Sequence, residues 1–192
     1  MKIFKHRINT IADLALTSKE LGVELDIRTN GKNLILHHDP FETGDLFAMY
    51  LQNYSHSGII LNTKEEGLES SLIDMMQEYS IDDYFFLDLS LPFLIKTINK
   101  GCKKVAVRYS EYEPIEYVKK FEGLAEWVWV DCFNKNILRE DVLDYLKLHF
   151  KICLVSPELQ SHPVEWIEEF KLAYKNFDID AVCTKQPSLW KY

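Results

Sequence analysis

Residues 22–40 read GVELDIRTNGKNLILHHDP, and this stretch contains the pattern from which the fold can be inferred. Successive side chains of a β-strand point to opposite faces, so Glu24 and Asp26 share one face and the apolar residues between and around them share the other. Two carboxylates on one strand face repel each other. The fold must therefore supply a cation or hydrogen bonds to them.

A hairpin is predicted immediately after this acidic strand. The residues TNGK at 29–32 are typical of a tight turn, and the apolar residues that follow predict a short returning strand. That strand ends at His37, His38 and Asp39 and brings them back towards the acidic pair. Carboxylates beside an imidazole suit a divalent cation bound by oxygen next to a general acid or base.

Along the whole chain, the sequence pattern predicts apolar strands that alternate with amphipathic helices. Such a pattern indicates a parallel sheet covered by helices, and eight units suggest a closed (β/α)8 barrel with a small β-hairpin after its second strand. The chain has 192 residues, close to the lower limit of about 200 for this fold, so an open doubly wound sheet is the alternative. No linker interrupts the pattern, and residues 1–192 are predicted to form a single domain. The predicted strands cover residues 2–7, 22–29, 58–64, 84–90, 104–110, 126–133, 151–156 and 180–184.

The composition limits the classes of protein to which this chain can belong. The chain has 30 acidic and 22 basic residues and a net charge of −8, which argues against a long nucleic-acid footprint. No apolar run approaches the roughly 20 residues that a membrane-spanning helix needs. The sequence therefore predicts a cytoplasmic protein that acts on a small molecule, with no nucleic-acid partner and no membrane span. It does not indicate an oligomeric state.

Three motifs together resemble the glycerophosphodiester phosphodiesterase family. The acidic strand ELDI at 24–27 is followed by a turn and an apolar run that ends in His38 and Asp39. The residues HRINT at 6–10 are similar to the family's opening motif, and DAVCTKQP at 180–187 is similar to its last strand. The resemblance implies a (β/α)8 barrel, a phosphoric diester hydrolase acting on a glycerophosphodiester, and a place in lipid metabolism.

The resemblance also implies a role for each polar residue at a strand end. His6 and His38 match the family's catalytic acid–base pair, because an imidazole titrates near neutral pH. Arg7 and Lys64 are the expected partners of the phosphoryl oxygens, and Arg108 is an alternative to them. The expected ligands of a magnesium or calcium ion are Glu24, Asp26, Asn62 and Asp88.

This chain departs from the family at several of these positions. Asn62 stands where the family has a third acidic ligand, and Asp88 is a candidate for restoring that charge. Ile8 replaces a glycine, and the glutamate that precedes the family's Asn-Thr has no counterpart here. These departures favour an alternative in which a catalytically impaired barrel binds a phosphorylated ligand or a partner.

Two further alternatives remain open. The first is a barrel enzyme of another class, such as a sugar-phosphate isomerase or an aldolase, with Lys64 as base or nucleophile. The second concerns structure alone: the acidic pair forms salt bridges with Lys64 or Arg28 and holds no ion.

Overall fold

Strands and helices alternate along the chain in the computed structural model, which describes residues 1–191. The strands are β1 (Lys2–Lys5), β2 (Gly22–Thr29), β3 (Leu34–Leu36), β4 (Asp45–Leu46), β5 (Ile59–Thr63), β6 (Tyr84–Leu87), β7 (Ala106–Tyr109), β8 (Trp127–Val130), β9 (Lys151–Val155) and β10 (Ala181–Thr184). The helices are α1 (Ile11–Leu16), α2 (Phe47–Gln52), α3 (Glu69–Glu78), α4 (Leu91–Asn99), α5 (Ile115–Val118), α6 (Glu140–His149), α7 (Trp166–Tyr174) and α8 (Pro187–Trp190). Short 3-10 helices lie at Lys119–Phe121 and Pro157–Gln160.

The chain divides into two compact units. The first unit is Lys5–Cys102, and the second contains Met1–Phe4 together with the chain from Lys103 onward. The prediction that residues 1–192 form one domain stays a prediction.

In the first unit the strands follow the order β4, β3, β2, β5, β6. The pairs β2–β5 and β5–β6 are parallel, whereas β2–β3 and β3–β4 are antiparallel. The register of β2 against β5 places Asp26 opposite Asn62. Apolar side chains of these strands, such as Leu25 and Ile60, are fully buried, as the sequence pattern indicates.

The predicted hairpin after the second strand is confirmed as β2–β3. Its turn is stabilised by Asn30, whose side-chain oxygen accepts hydrogen bonds from the backbone N–H groups of Lys32 (3.2 Å) and Asn33 (2.8 Å). Gly31 has a φ of +82°, in the left-handed region that glycine adopts without strain. Gly44 is required for a different reason, because a β-carbon there would lie 2.1 Å from a backbone oxygen of Leu36.

In the second unit β7, β8, β9 and β10 form a parallel sheet in sequence order. The start of the chain lies next to β10, where the N–H of Lys2 donates to the carbonyl of Asp180 over 2.7 Å. Except for Lys151 and Arg108, the side chains on these strands are buried, including Trp127 and Trp129 of β8. The continuous apolar runs in the sequence therefore correspond to strands buried on both faces.

Each of the eight predicted strand ranges contains an observed strand, but two details differ. The spacing of Ile11, Leu14, Leu16 and Leu21 predicts a helix that Gly22 ends. Helix α1 instead ends at Leu16, because Thr17 has an extended backbone and its hydroxyl donates to the carbonyl of Asp13 over 2.7 Å. Helical spacing of Leu46, Met49, Tyr50 and Asn53 predicts a helix over residues 45–54. Helix α2 begins only at Phe47, since the two preceding residues pair with β3 as β4. The longest helices within residues 1–191 have ten residues, and none is long and apolar enough to cross a membrane.

Candidate active site

The predicted alternation along β2 is present, and both acidic residues are buried. Glu24 is 1% exposed and Asp26 is 0% exposed. A carboxylate removed from water requires hydrogen bonds or a counter-charge. The groups that contact these two side chains must therefore supply those hydrogen bonds and charges.

Glu24 is held by one backbone and one side-chain donor. The N–H of Arg7 donates to its Oε2 over 2.7 Å, and Nδ2 of Asn62 donates to its Oε1 over 2.9 Å. His6 Nε2 lies 3.7 Å from the same Oε2. Burial, followed by the negative charge of Asp26, raises the pKa of Glu24 to about 7, although the two hydrogen bonds act in the opposite direction.

The chain makes a left-handed turn just after β1, and the hydrogen bond from the Arg7 N–H to Glu24 is formed at this turn. Arg7 has a φ of +54°, an uncommon value for a residue other than glycine. Its backbone N–H is consequently directed at Glu24. The guanidinium remains about half exposed, with Nε 3.8 Å from Oδ2 of Asp26.

Asp26 is paired with an amide and an ammonium group. Nδ2 of Asn9 donates to Oδ2 of Asp26 over 2.8 Å, and the backbone N–H of Asp26 donates to Oδ1 of Asn9, also over 2.8 Å. Lys64 Nζ lies 3.3 Å from Oδ1 of Asp26 and 3.5 Å from Oδ2 of Asp88. The Lys64 ammonium group thus pairs with both acidic side chains and links Asp88 to Asp26.

His38 lies next to the acidic strand without touching the acidic pair. Its Nδ1 is 2.7 Å from Oδ1 of Asp39, and this hydrogen bond is the main cause of the lowered pKa of Asp39, to which the charge of Arg7 also contributes. The preceding residue, His37, donates its N–H to the backbone oxygen of Asp26 over 3.1 Å. Across residues 1–191, no hydrogen bond or ion pair joins the ring of His38 to the acidic pair or to His6.

Arg108 belongs to the second unit. Its guanidinium is hydrogen-bonded to Asp131, and its Nε lies 3.8 Å from Oε1 of Glu113. Its charge is therefore compensated by acidic residues of its own unit. Its assignment as a phosphate ligand stays a prediction.

The donor set at Asp26 and Asn62 fits a hard cation. These residues face each other on β2 and β5, and Oδ1 of each is buried and accepts no hydrogen bond within the described chain. Glu24 adds carboxylate oxygens beside them. Residues 1–191 contain no group of three His, Cys, Asp or Glu side chains arranged to hold a metal ion, and the third donor at this site is the amide of Asn62.

Sequence reasoning missed two residues of this site. The sequence predicts Asn9 and Thr10 as caps of α1, and Thr10 is the N-cap residue, with its hydroxyl accepting from the N–H of Asp13, whereas Asn9 binds Asp26. Arg28 was expected only as a salt-bridge partner of the acidic pair. The alternation that places Glu24 and Asp26 on one face also places Arg28 there, and this signal could have identified it.

Comparison with known proteins identifies relatives through structure alone. No protein-family model matches the sequence, and no curated protein matches it significantly. A glycerophosphodiester phosphodiesterase from Agrobacterium tumefaciens matches 99% of this chain and 99% of its own, with a TM-score of 0.71 and 14% identity. A glycerophosphoryl diester phosphodiesterase from Parabacteroides distasonis matches 98% of this chain and 84% of its own, with a TM-score of 0.66 and 11% identity.

A second kind of enzyme is also similar. The tryptophan synthase α2β2 complex from Pyrococcus furiosus matches 95% of this chain and 86% of the matched chain, with a TM-score of 0.56 and 13% identity. Similarity at this level of identity establishes the fold and does not select a reaction. The chain thus has the α/β fold of the (β/α)8 class that the sequence predicts, and it resembles the solved glycerophosphodiester phosphodiesterases over nearly its whole length.

Proposed function

We propose that this chain is a metal-dependent phosphodiesterase that hydrolyses a glycerophosphodiester-like small molecule, with His6 and His38 as the acid–base pair. One observation carries the proposal: Arg7, Lys64 and His6 gather around the buried pair of carboxylates on β2. The fold of the structural relatives, whose names state that chemistry, supports it.

Arg7 and Lys64 are suited to bind the phosphoryl group. The carboxylates are buried, whereas the Arg7 side chain is 44% exposed and the Lys64 side chain is 17% exposed. A phosphodiester anion approaching from solvent therefore meets positive charge before it meets the acidic pair. These cations also stabilise the negative charge that accumulates on the phosphoryl oxygens in the transition state.

The two histidines have different partners, which suits two different tasks. Glu24 lies 3.7 Å from Nε2 of His6 and stabilises the imidazolium formed when His6 takes a proton from a hydroxyl neighbouring the phosphate. Asp39 binds Nδ1 of His38, so that Nε2 is the atom available to protonate the departing alkoxide. Attack by the hydroxyl releases the alcohol and a cyclic phosphate, which water then opens to a monoester.

Glu24, Asp26 and Asn62 would hold the magnesium or calcium ion. When bound, the ion supplies charge that polarises a phosphoryl oxygen and lowers the pKa of the attacking hydroxyl. The buried Oδ1 of Asn62, which accepts no hydrogen bond in the described chain, would gain a partner, and Oδ1 of Asp26, which lies 3.3 Å from Lys64 Nζ, would gain a second one. Burial and the charge of Asp26 raise the pKa of Glu24, so a cation bound here would stabilise its ionised form.

The alternative is a catalytically impaired barrel that binds a phosphorylated ligand or a partner without turnover. The specific observation in its favour is the position of Lys64, whose ammonium group lies between Asp26 and Asp88 and already compensates their charge. An intrinsic cation of this kind competes with a divalent ion for the same oxygens.

The test is hydrolysis of a panel of glycerophosphodiesters by the full chain, with release of the alcohol measured in Mg²⁺, Ca²⁺ or EDTA. We expect metal-dependent turnover that His6→Asn and His38→Asn each reduce by about 10²–10⁴-fold. His37→Asn is the matched control, because it removes an imidazole next to His38 and should retain activity. Binding of glycerol 3-phosphate without release of alcohol from any diester would favour the alternative, and absence of both would contradict both functions.

A further inference from the structure

Arg28 is the third residue on the acidic face of β2, after Glu24 and Asp26. Its side chain is only 15% exposed, so most of the guanidinium is removed from water. A guanidinium carries five N–H donors and no acceptor, and a largely buried one must direct those donors at protein oxygens. The oxygens that it contacts therefore indicate what the side chain does.

All three nitrogens of the guanidinium contact backbone carbonyls of residues from the proposed site. Nε and Nη2 donate to the carbonyl of His38 over 3.0 Å and 2.9 Å. Nη1 donates to the carbonyl of Lys64 over 3.3 Å. Because every nitrogen is engaged with the protein, Arg28 differs from Arg7 and is poorly placed to bind phosphate in bidentate fashion.

Glu65 fixes the guanidinium from the other side. Its Oε1 lies 3.8 Å from Nη1 of Arg28. The carboxylate of Glu65 in turn accepts hydrogen bonds from the backbone N–H (3.2 Å) and the hydroxyl (2.8 Å) of Thr29, the last residue of β2. Arg28 is thus held at a defined position relative to its own strand.

We infer that Arg28 is a positioning residue that clamps the His38 segment to the Lys64 segment through their backbone carbonyls. Its significance rests on the proposed function, in which His38 donates a proton and Lys64 binds the phosphoryl group. Each segment follows a strand that pairs with β2 and makes a further backbone hydrogen bond to it, from His37 to Asp26 and from Lys64 to Ile27. Arg28 adds the only side-chain contacts within residues 1–191 that join the two carbonyls to each other.

A planar fork is needed for this arrangement. Lysine carries the same charge, but its single ammonium cannot reproduce three donors in one plane. Arg28→Lys keeps the positive charge and removes the planar set of donors. It therefore tests whether the hydrogen bonds or the charge alone hold the two segments. Displacement of a catalytic group by about 1 Å can lower the rate by about 100-fold, and we expect a fall in kcat of this size for Arg28→Lys, with a smaller change in KM.

The decisive measurement does not depend on activity. The carbonyl ¹³C resonances of His38 and Lys64 are recorded by NMR for the natural chain and for Arg28→Lys and Arg28→Ala. Arg139→Lys and Arg139→Ala are the matched controls, because Arg139 belongs to the second unit, is exposed and pairs with Asp141. Guanidinium chloride at millimolar concentration is added to each alanine variant.

We expect both carbonyl resonances to move in the Arg28 variants and not in the Arg139 variants, and guanidinium to restore them in Arg28→Ala. Resonances that stay unchanged, or movement of only one of the two, would overturn the clamp. If Arg28→Ala does not fold, Arg28→Lys decides the question by the same readout. If the natural chain hydrolyses no diester, the proposed function fails, while the carbonyl resonances still decide whether the clamp exists.

Discussion

Replacement of Glu24 by glutamine should stabilise the protein at neutral and alkaline pH. The pKa of Glu24 is raised from 4.5 to about 7, chiefly by burial and then by Asp26. Since one pKa unit corresponds to about 1.4 kcal/mol, the ionised side chain costs the folded state roughly 3 kcal/mol above pH 7. Glutamine has nearly the same shape and carries no charge, so it removes this cost.

The hydrogen bonds around residue 24 can be kept in the variant. The glutamine oxygen accepts from the backbone N–H of Arg7, in place of the Glu24 carboxylate. Rotation of the Asn62 amide by 180° lets its oxygen, which accepts no hydrogen bond in the described structure, accept from the glutamine NH₂ group. The Asn62 NH₂ group then takes the former position of this oxygen, where no acceptor is described, so one unpaired buried donor offsets part of the gain from removing the charge.

The sign of the pH dependence follows from the raised pKa. Below pH 4.5 Glu24 is protonated in both the folded and the unfolded chain, so Glu24→Gln should have little effect on stability. As pH rises from 4.5 to about 7 the unfolded chain loses this proton first, and the natural protein loses stability that the variant retains. Above pH 7 the difference in unfolding free energy should stay constant at roughly 3 kcal/mol.

Urea denaturation of both proteins from pH 4 to pH 9 measures this difference. Glu42→Gln is the control, because Glu42 is exposed and its replacement should change the unfolding free energy by less than about 0.5 kcal/mol. The reasoning is refuted if the benefit of Glu24→Gln does not depend on pH, or if the variant is less stable than the natural protein at pH 8.

Three further predictions concern the same unit. Asn62→Asp should strengthen binding of Mg²⁺ by about tenfold or more, as measured by calorimetry, because it adds a third carboxylate; unchanged affinity would argue against Asn62 as a ligand. Asn9→Ala should lower the unfolding free energy by about 2–4 kcal/mol, because it removes two hydrogen bonds to buried Asp26; a loss below 1 kcal/mol in urea would contradict this. Gly44→Ala should destabilise the chain by more than Gly31→Ala, because a β-carbon at Gly44 would lie 2.1 Å from a backbone oxygen. For Gly31→Ala a loss of about 1–2 kcal/mol is expected from the positive φ alone. Equal losses in thermal unfolding would exclude the steric explanation.

Most of the fold was predictable because it depends on local sequence. Apolar runs bounded by polar and glycine residues mark the parallel strands, and the residues from Asn30 to Asn33 specify the hairpin turn. The exceptions depend on contacts distant in sequence. Asp45 pairs with Leu36 in β4, and its side chain accepts from the N–H of Ile11, neither of which a local pattern reveals.

For the candidate site, the sequence predicts which strands carry it and which of their side chains lie on one face. Alternation places Glu24 and Asp26 on one face, and parallel pairing brings Lys64 to the adjacent strand end. The hydrogen bonds that neutralise the pair could not be derived, because they depend on side-chain conformations and on a left-handed turn at Arg7. For the same reason, the pairing of His38 with Asp39 was not apparent from the sequence.

The bond from Arg7 to Glu24 is made by a peptide nitrogen, and this has an evolutionary consequence. Any residue except proline presents the same nitrogen, so a point mutation at position 7 can exchange the guanidinium without releasing the acid. Glycine would even adopt the backbone angle more readily. If Arg7 binds the phosphoryl group as proposed, this contact can be exchanged at position 7 while the anchoring of Glu24 persists, so selection can change the ligand without rebuilding the site.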